Sequence, residues 1–195
     1  MECPACGTES SETAVFCSQC GTRLAAAAAG QERRVVTALF CDLVGSTSLG
    51  ERTDPEELDH LLARYYELAS GAIAREGGTV EKFIGDAVVA LFGYPIAHED
   101  DPSRALRASL EIVDQVEGSG LGIEVRLGVN TGEAFLRVDA SGEWNATGDV
   151  MNTASRLQAA APPMGIVVGA RTRATAALMG GSCSFNNSPR AVLVL

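Results

Sequence analysis

Two aspartates, Asp42 and Asp86, stand where carboxylates can share one task. Asp42 follows an apolar run, Val35 to Phe40, that reads as a buried strand, and it comes just before Val44-Gly45-Ser46-Thr47. A loop of small residues can turn its N–H groups inward, and the helical pattern after it adds a positive helix end, so anionic oxygens are favoured there. Asp86 lies in V-E-K-F-I-G-D-A-V-V-A-L-F-G. Thr79 to Ile84 and Ala87 to Phe92 are two β-rich runs, and Gly85-Asp86 is the two-residue pair that closes a tight hairpin. If that hairpin lies beside the first strand, the two carboxylates meet, and they repel unless a cation lies between them. Hard oxygen ligands beside a phosphate-holding loop point to Mg2+ or Mn2+ carrying a nucleoside triphosphate. Singly, each aspartate is also explained as a cap or turn residue; together they argue for a site.

A third residue is marked by composition. Lys82 is the only lysine in the chain, whose other basic residues are all arginine, so position 82 selects an ammonium where a guanidinium is the default. Asn152 and Arg156 are four apart in a helical pattern and lie one turn above each other on one face.

F-C-D-L-V-G-S-T-S-L, E-K-F-I-G-D-A, L-G-V-N-T-G-E and G-D-V-M-N-T-A-S-R-L, in that order and spacing, resemble the catalytic domain of class III nucleotidyl cyclases, as found in bacterial adenylate cyclases, over roughly Arg33 to Ala177. The resemblance implies an α/β (α+β) domain of ferredoxin-like fold, related to polymerase palms. It implies a head-to-tail homodimer with shared active sites that converts ATP to 3′,5′-cyclic AMP and pyrophosphate with two Mg2+ or Mn2+ ions per site. By that likeness Asp42, Leu43 and Asp86 are the metal set, and Val44, Gly45, Ser46 and Thr47 cradle phosphates. Lys82 and Asn145 read the base, Asn152 orients the ribose, and Arg156 stabilises charge on the α-phosphate, the last four acting from the other subunit.

Further elements must hold these residues. Asp54-Pro55-Glu56-Glu57 starts a helix whose apolar stripe runs through Leu58, Leu61, Leu62, Tyr65, Leu68, Ala69, Ala72 and Ile73 to Gly77-Gly78. His60 and Tyr66 fall off the stripe and read as surface residues. Asp100-Asp101-Pro102 opens a second helix, with Asp101 a cap rather than a ligand, ended by Gly118-Ser119-Gly120. Ile123 to Asn130 alternates with Glu124 and Arg126 outward, and Thr131-Gly132 is expected to turn it into Ala134 to Val138 as a hairpin. A helix from Asp149 to Ala160 is stopped by Pro162-Pro163; a strand over 165–169 and a helix over 171–179 follow.

Two features depart from the family pattern. Asn145 stands where adenylate cyclases commonly carry aspartate or threonine; its amide can accept from adenine or donate to a guanine oxygen, which keeps guanylate cyclase open as an alternative. After Gly180-Gly181 the family's final strand pair and its triphosphate-binding lysine are missing: Ser182 to Asn187 is polar, Arg190 is the one basic residue, and Ala191 to Leu195 is a lone apolar run. That tail also keeps open a non-catalytic, nucleotide-binding regulatory module, with an incompletely covered sheet edge.

Cys3-x-x-Cys6 and Cys17-x-x-Cys20, each pair followed by glycine, form two knuckles that present four thiolates to structural Zn2+. Metal binding worth about 10–16 kcal/mol would fold so short a segment. The expected division is a zinc ribbon over 1–24, an alanine-rich linker over 25–32, the catalytic domain over 33–179 and an atypical tail over 180–195. A net charge of −10, with Arg23 the sole basic residue of the first thirty-two positions, argues against nucleic acid and anionic membranes. No long apolar span or basic leader is present, which predicts a cytoplasmic protein. No residue pattern identifies a regulatory partner.

Overall fold

The computed structural model describes residues 6–9, 17–20, 30–138, 144–178 and 192–194. The chain forms two compact units, Met1–Arg33 with Phe135–Ala146, and Arg34–Ala134 with Thr147–Leu195. In the sheet, β1 (Gly30–Leu43), β2 (Thr79–Ile84), β3 (Ala87–Phe92), β4 (Val125–Val138), β6 (Ile166–Val168) and β7 (Val192–Val194) lie in the order β2-β3-β1-β4-β6-β7. β5 (Trp144–Thr147) pairs with β4. The helices are α1 (Ser46–Arg52), α2 (Pro55–Arg75), α3 (Asp101–Gly118), α4 (Asp149–Ala160) and α5 (Ala170–Leu178).

Strand alternation decides what lies on each face. Leu39, Cys41 and Leu43 of β1, Val88, Ala90 and Phe92 of β3, and Val125, Leu127 and Val129 of β4 join one buried cluster with Tyr65, Ala69, Ala72 and Ile73 of α2 and Ile112, Val113 and Val116 of α3. The opposite parity, including Asp42 and Arg126, falls on the other face. There α4 packs, with Leu157 against Val167 of β6. Glycine permits the approach: a Cβ at Gly128 would overlap Ala154 O and Gln158 N of α4, and one at Gly132 would come 3.2 Å from Val150 Cβ.

Several expectations are corrected by this architecture. Thr131-Gly132 is no turn; β4 runs unbroken through it, because Gly132 makes room for α4 rather than reversing the chain. Arg126 does point away from the main core, but α4 covers that face. The Gly-Ser-Thr loop is mostly helix, since α1 begins at Ser46 with Gly45 as its left-handed N-cap (φ 70°). Tyr66 is not simply a surface residue: it is half-buried, with its hydroxyl donating to Gly85 O and its ring 4.5 Å from that of Phe83. β1 starts at Gly30, inside the segment expected to be linker. The lone C-terminal apolar run supplies β7, which pairs in parallel with β6 and covers its edge; the rest of 179–195 lies outside the described residues.

Other expectations hold. Asp54 caps α2 by accepting from Glu56 N at 3.0 Å, with Pro55 in the first turn. Asp101 is not the cap of α3, which is Asp100; it is the first helical residue, buried, and accepts from His98 N at 2.8 Å, a local structural role. His60 is exposed. Among the described residues, no helix is long and apolar enough to cross a membrane.

The α4 contact gives a direct test. Gly128→Ala should destabilise the fold by about 1–3 kcal/mol through overpacking, lowering the urea midpoint without changing the slope; an unchanged midpoint would show that α4 does not rest on this glycine.

Candidate active site and zinc cluster

β1 and β3 are antiparallel with Cys41 opposite Val88, so continuing the register brings the hairpin turn to the end of β1. Asp86 is in that turn, and its Oδ2 accepts from Leu43 N at 3.2 Å. Asp42, on the α4 face one residue earlier, is thereby brought against Asp86. Burial lifts the Asp42 carboxyl above the usual range, the hydrogen bond with Asp86 and its charge lift it further, and Arg126 pulls it back. Arg126 Nη2 and Gln158 Nε2 both donate to Asp42 Oδ2, at 3.2 Å and 3.1 Å.

A half-buried carboxylate set against a second one fits a hard divalent cation, which relieves the desolvation and repulsion felt by Asp42. Leu43 can join them only through its main-chain carbonyl, because its hydrocarbon side chain carries no ligand atom and is buried in the core. Beneath the pair, Tyr65 donates to Cys41 Sγ at 3.2 Å, and burial pushes the Cys41 thiol up to about 12.

The phosphate-loop residues divide. The Val44 amide is committed to Glu124 O at 2.9 Å, which removes it from the cradle expected over 44–47. Gly45 is the N-cap, and Ser46 and Thr47 occupy the first turn of α1, where amides lack intrahelical acceptors. The Thr47 side chain lies outside the described residues. Lys82 is half-buried and pairs with Glu81 Oε1 at 3.1 Å. A register shift between Val80 and Lys82 accompanies this pairing of sequence neighbours, the local disruption a bulge produces. Asn145 is exposed on β5, in the smaller unit.

Asn152 and Arg156 lie on the exposed face of α4, with Arg156 Nη2 donating to Thr153 Oγ1 at 3.1 Å and 4.0 Å from Asp149 Oδ1. At 3.6 residues per turn, Gln158 is about 200° around the helix from Arg156. Within one chain the fold therefore gathers Asp42, Asp86, Arg126 and Gln158, while Asn152 and Arg156 face outward. Arg126 and Gln158 were not singled out as site residues from sequence, although Gln158 had a readable signal. It is polar within the apolar spacing Ala154, Leu157, Ala161 of α4.

In the smaller unit the Sγ atoms of Cys6, Cys17 and Cys20 lie within 4.8 Å of one another, and those of Cys6 and Cys17 are 3.6 Å apart. Tetrahedral Zn–S bonds separate sulfurs by about 3.8 Å, so these three fit a zinc site. Backbone amides at Cys20 and Gln19 hold the Cys17 thiol below its ordinary range, as a metal-binding thiolate requires. Cys3, the expected fourth ligand, lies outside the described residues.

Residues 29–192 match the adenylate and guanylate cyclase catalytic domain and residues 3–24 a zinc-ribbon domain. The chain belongs to the class III adenylate and guanylate cyclase family and carries an N-terminal zinc ribbon. It is 34% identical over 137 residues to adenylate cyclase 1 of Rhizobium meliloti, a match covering 65% of this chain and 21% of that protein. An uncharacterized protein of the same organism is 36% identical over 152 residues, covering 74% of this chain and 15% of its own length. The chain thus spans about a fifth or less of the length of these two curated relatives. Among solved structures, the adenylyl cyclase CyaB from P. aeruginosa superposes with a TM-score of 0.68 at 28% identity, over 75% of this chain and 82% of that one. A guanylyl cyclase domain from Blastocladiella emersonii gives 0.70 at 26% identity, over 75% and 85%.

Burial of Cys41 has a chemical consequence. Iodoacetamide applied to the native protein should leave Cys41 unmodified in peptide mapping, with full labelling in denaturant. Labelling of native Cys41 at the rate of an exposed thiol would contradict its placement.

Proposed function

We propose that this chain acts as an adenylate cyclase, converting ATP to 3′,5′-cyclic AMP and pyrophosphate in a homodimer whose two active sites each draw on both subunits. The observation that carries the reading is the split within one chain: Asp42 and Asp86 converge, while Asn152 and Arg156 face outward on α4. A second copy placed head to tail, in a self-complementary two-fold arrangement, supplies the missing half to each site.

In this reading Asp42, Asp86 and the Leu43 main chain hold two Mg2+ or Mn2+ ions. Ions held there would supply the charge that lowers the pKa of the ribose 3′-hydroxyl and offsets the triphosphate. The first-turn amides of Ser46 and Thr47 take phosphate oxygens. From the partner subunit, Asn152 orients the ribose and Arg156 stabilises charge on the α-phosphate as the 3′-oxygen bonds to phosphorus and the bond to pyrophosphate breaks. Lys82 and Asn145 read the base.

Adenine is supported by Lys82, the chain's one ammonium, and by the name of the R. meliloti relative. The exposed Asn145 amide supports guanine as the second reading, because it can donate to a guanine oxygen. Domain limits of 1–24, 25–32, 33–179 and 180–195, structural zinc on Cys3, Cys6, Cys17 and Cys20, and a cytoplasmic location belong to the same proposal. The β1 start at Gly30 trims the linker.

Purified, zinc-loaded protein incubated with ATP and GTP together and Mn2+ should form mainly cyclic AMP, and Asp86→Ala should abolish it. Dominant cyclic GMP would select the guanylate reading, and nucleotide binding without turnover a regulatory module. Shared sites are tested by mixing Asp86→Ala with Arg156→Ala. Each alone should lose at least about 10²-fold in rate, whereas the mixture should recover about a quarter of wild-type activity, because half its dimers hold one intact site. No recovery from a mixture shown to exchange subunits would contradict shared sites.

A further inference from the structure

Asp42 is treated asymmetrically by its neighbours. Both protein donors from the sheet and from α4, Arg126 Nη2 at 3.2 Å and Gln158 Nε2 at 3.1 Å, go to the same oxygen, Oδ2. A carboxylate oxygen offers two lone pairs, so these two donors match the accepting capacity of Oδ2.

Neither donor is where stability alone would put it. Arg126 keeps its Nε buried with no hydrogen-bond partner among the described residues, a cost accepted while its Nη2 is on Asp42. Gln158 is 7% exposed, at a helix position whose neighbours in the stripe are Ala154, Leu157 and Ala161. An apolar side chain there would avoid desolvating an amide. Gly128 lets α4 come close enough for the Gln158 backbone to lie directly over β4. A buried polar side chain at an otherwise apolar position, aimed at a carboxylate and reached through a glycine gap, is the arrangement of a group that orients a ligand.

We infer that Gln158, seconded by Arg126, is a positioning residue that orients Asp42 as a metal ligand by holding its Oδ2. This deepens the metal-site reading above and rests on it. Gln158 is the decisive member because it is neutral: its removal deletes orientation without changing charge, whereas loss of Arg126 would also remove a cation that repels the metal. α4 then has two roles, holding the metal carboxylate of its own chain on the inner face and presenting Asn152 and Arg156 on the outer.

The test measures Mn2+ alone, by the loss of free-ion EPR signal on titration into zinc-loaded protein without nucleotide. The wild type should bind, and Asp42→Ala should not; absence of wild-type binding would sink the underlying metal-site reading itself. With wild-type binding established, Gln158→Met, close in volume, should weaken Mn2+ by about 10- to 100-fold, the range for outer-shell partners. Gln158→Asn, which keeps the amide but cannot reach, should do the same and decides the matter if the methionine variant fails to fold. Activity at saturating Mn2+ should return toward wild type, so the loss sits in the metal requirement rather than in kcat. Unchanged or tighter Mn2+ binding in a folded variant would overturn the inference. So would a fall in kcat that excess metal does not restore.

Discussion

Two carboxylates, Asp42 and Asp86, are held against each other in a partly dry place. Asp42 and Asp86 come from different elements, and their meeting is unfavourable on its own: burial and mutual repulsion both raise the Asp42 carboxyl. The fold nevertheless fixes it repeatedly. The β1–β3 register sets the hairpin tip at the strand end, Leu43 N holds Asp86, Tyr66 holds the carbonyl of Gly85, and Arg126 with Gln158 holds Asp42. Such over-determination of an electrostatically costly pair is expected where a cation supplies the missing charge, and it gives a metal reading a physical basis independent of resemblance.

The same logic explains why α4 lies against the sheet rather than merely near it. One face of the sheet is a conventional apolar core under α2 and α3. The other face has a chemical side, and α4 reaches it only where β4 lacks side chains, at Gly128 and Gly132. The helix is consequently divided between an inner face that serves its own chain's carboxylate and an outer face with Asn152 and Arg156 directed elsewhere. In the proposed two-fold dimer, that outward face would complete the site of the partner subunit.

Much of this was legible in the sequence, and the limits are instructive. Strand endings, the two-residue hairpin and the helix caps are local properties of apolar runs, glycine, proline and aspartate, and they put Asp42 near a strand end and Asp86 in a hairpin turn, as the fold does. Gly132 was misread because glycine marks both a turn and a close approach, and only the position of α4 separates the two. Arg126 was given the right parity but the wrong surroundings, since alternation tells which face a residue takes and not what covers it. Val44 was offered to phosphate, yet its amide belongs to Glu124, a partner eighty residues away that no local pattern announces. Gln158 was readable as a polar interruption of an apolar stripe; naming its partner required the fold.

In the proposed dimer, one chain's aspartate pair and another's α4 face build one site. A crystal structure with Mn2+ and a non-hydrolysable ATP analogue, read through the anomalous signal of manganese, decides it. The account predicts manganese peaks between Asp42 and Asp86 of one subunit, with Asn152 and Arg156 of the partner subunit against the ribose and α-phosphate. Manganese away from the aspartates, or a nucleotide contacted by a single chain while the outer face of α4 stays in solvent, would contradict it.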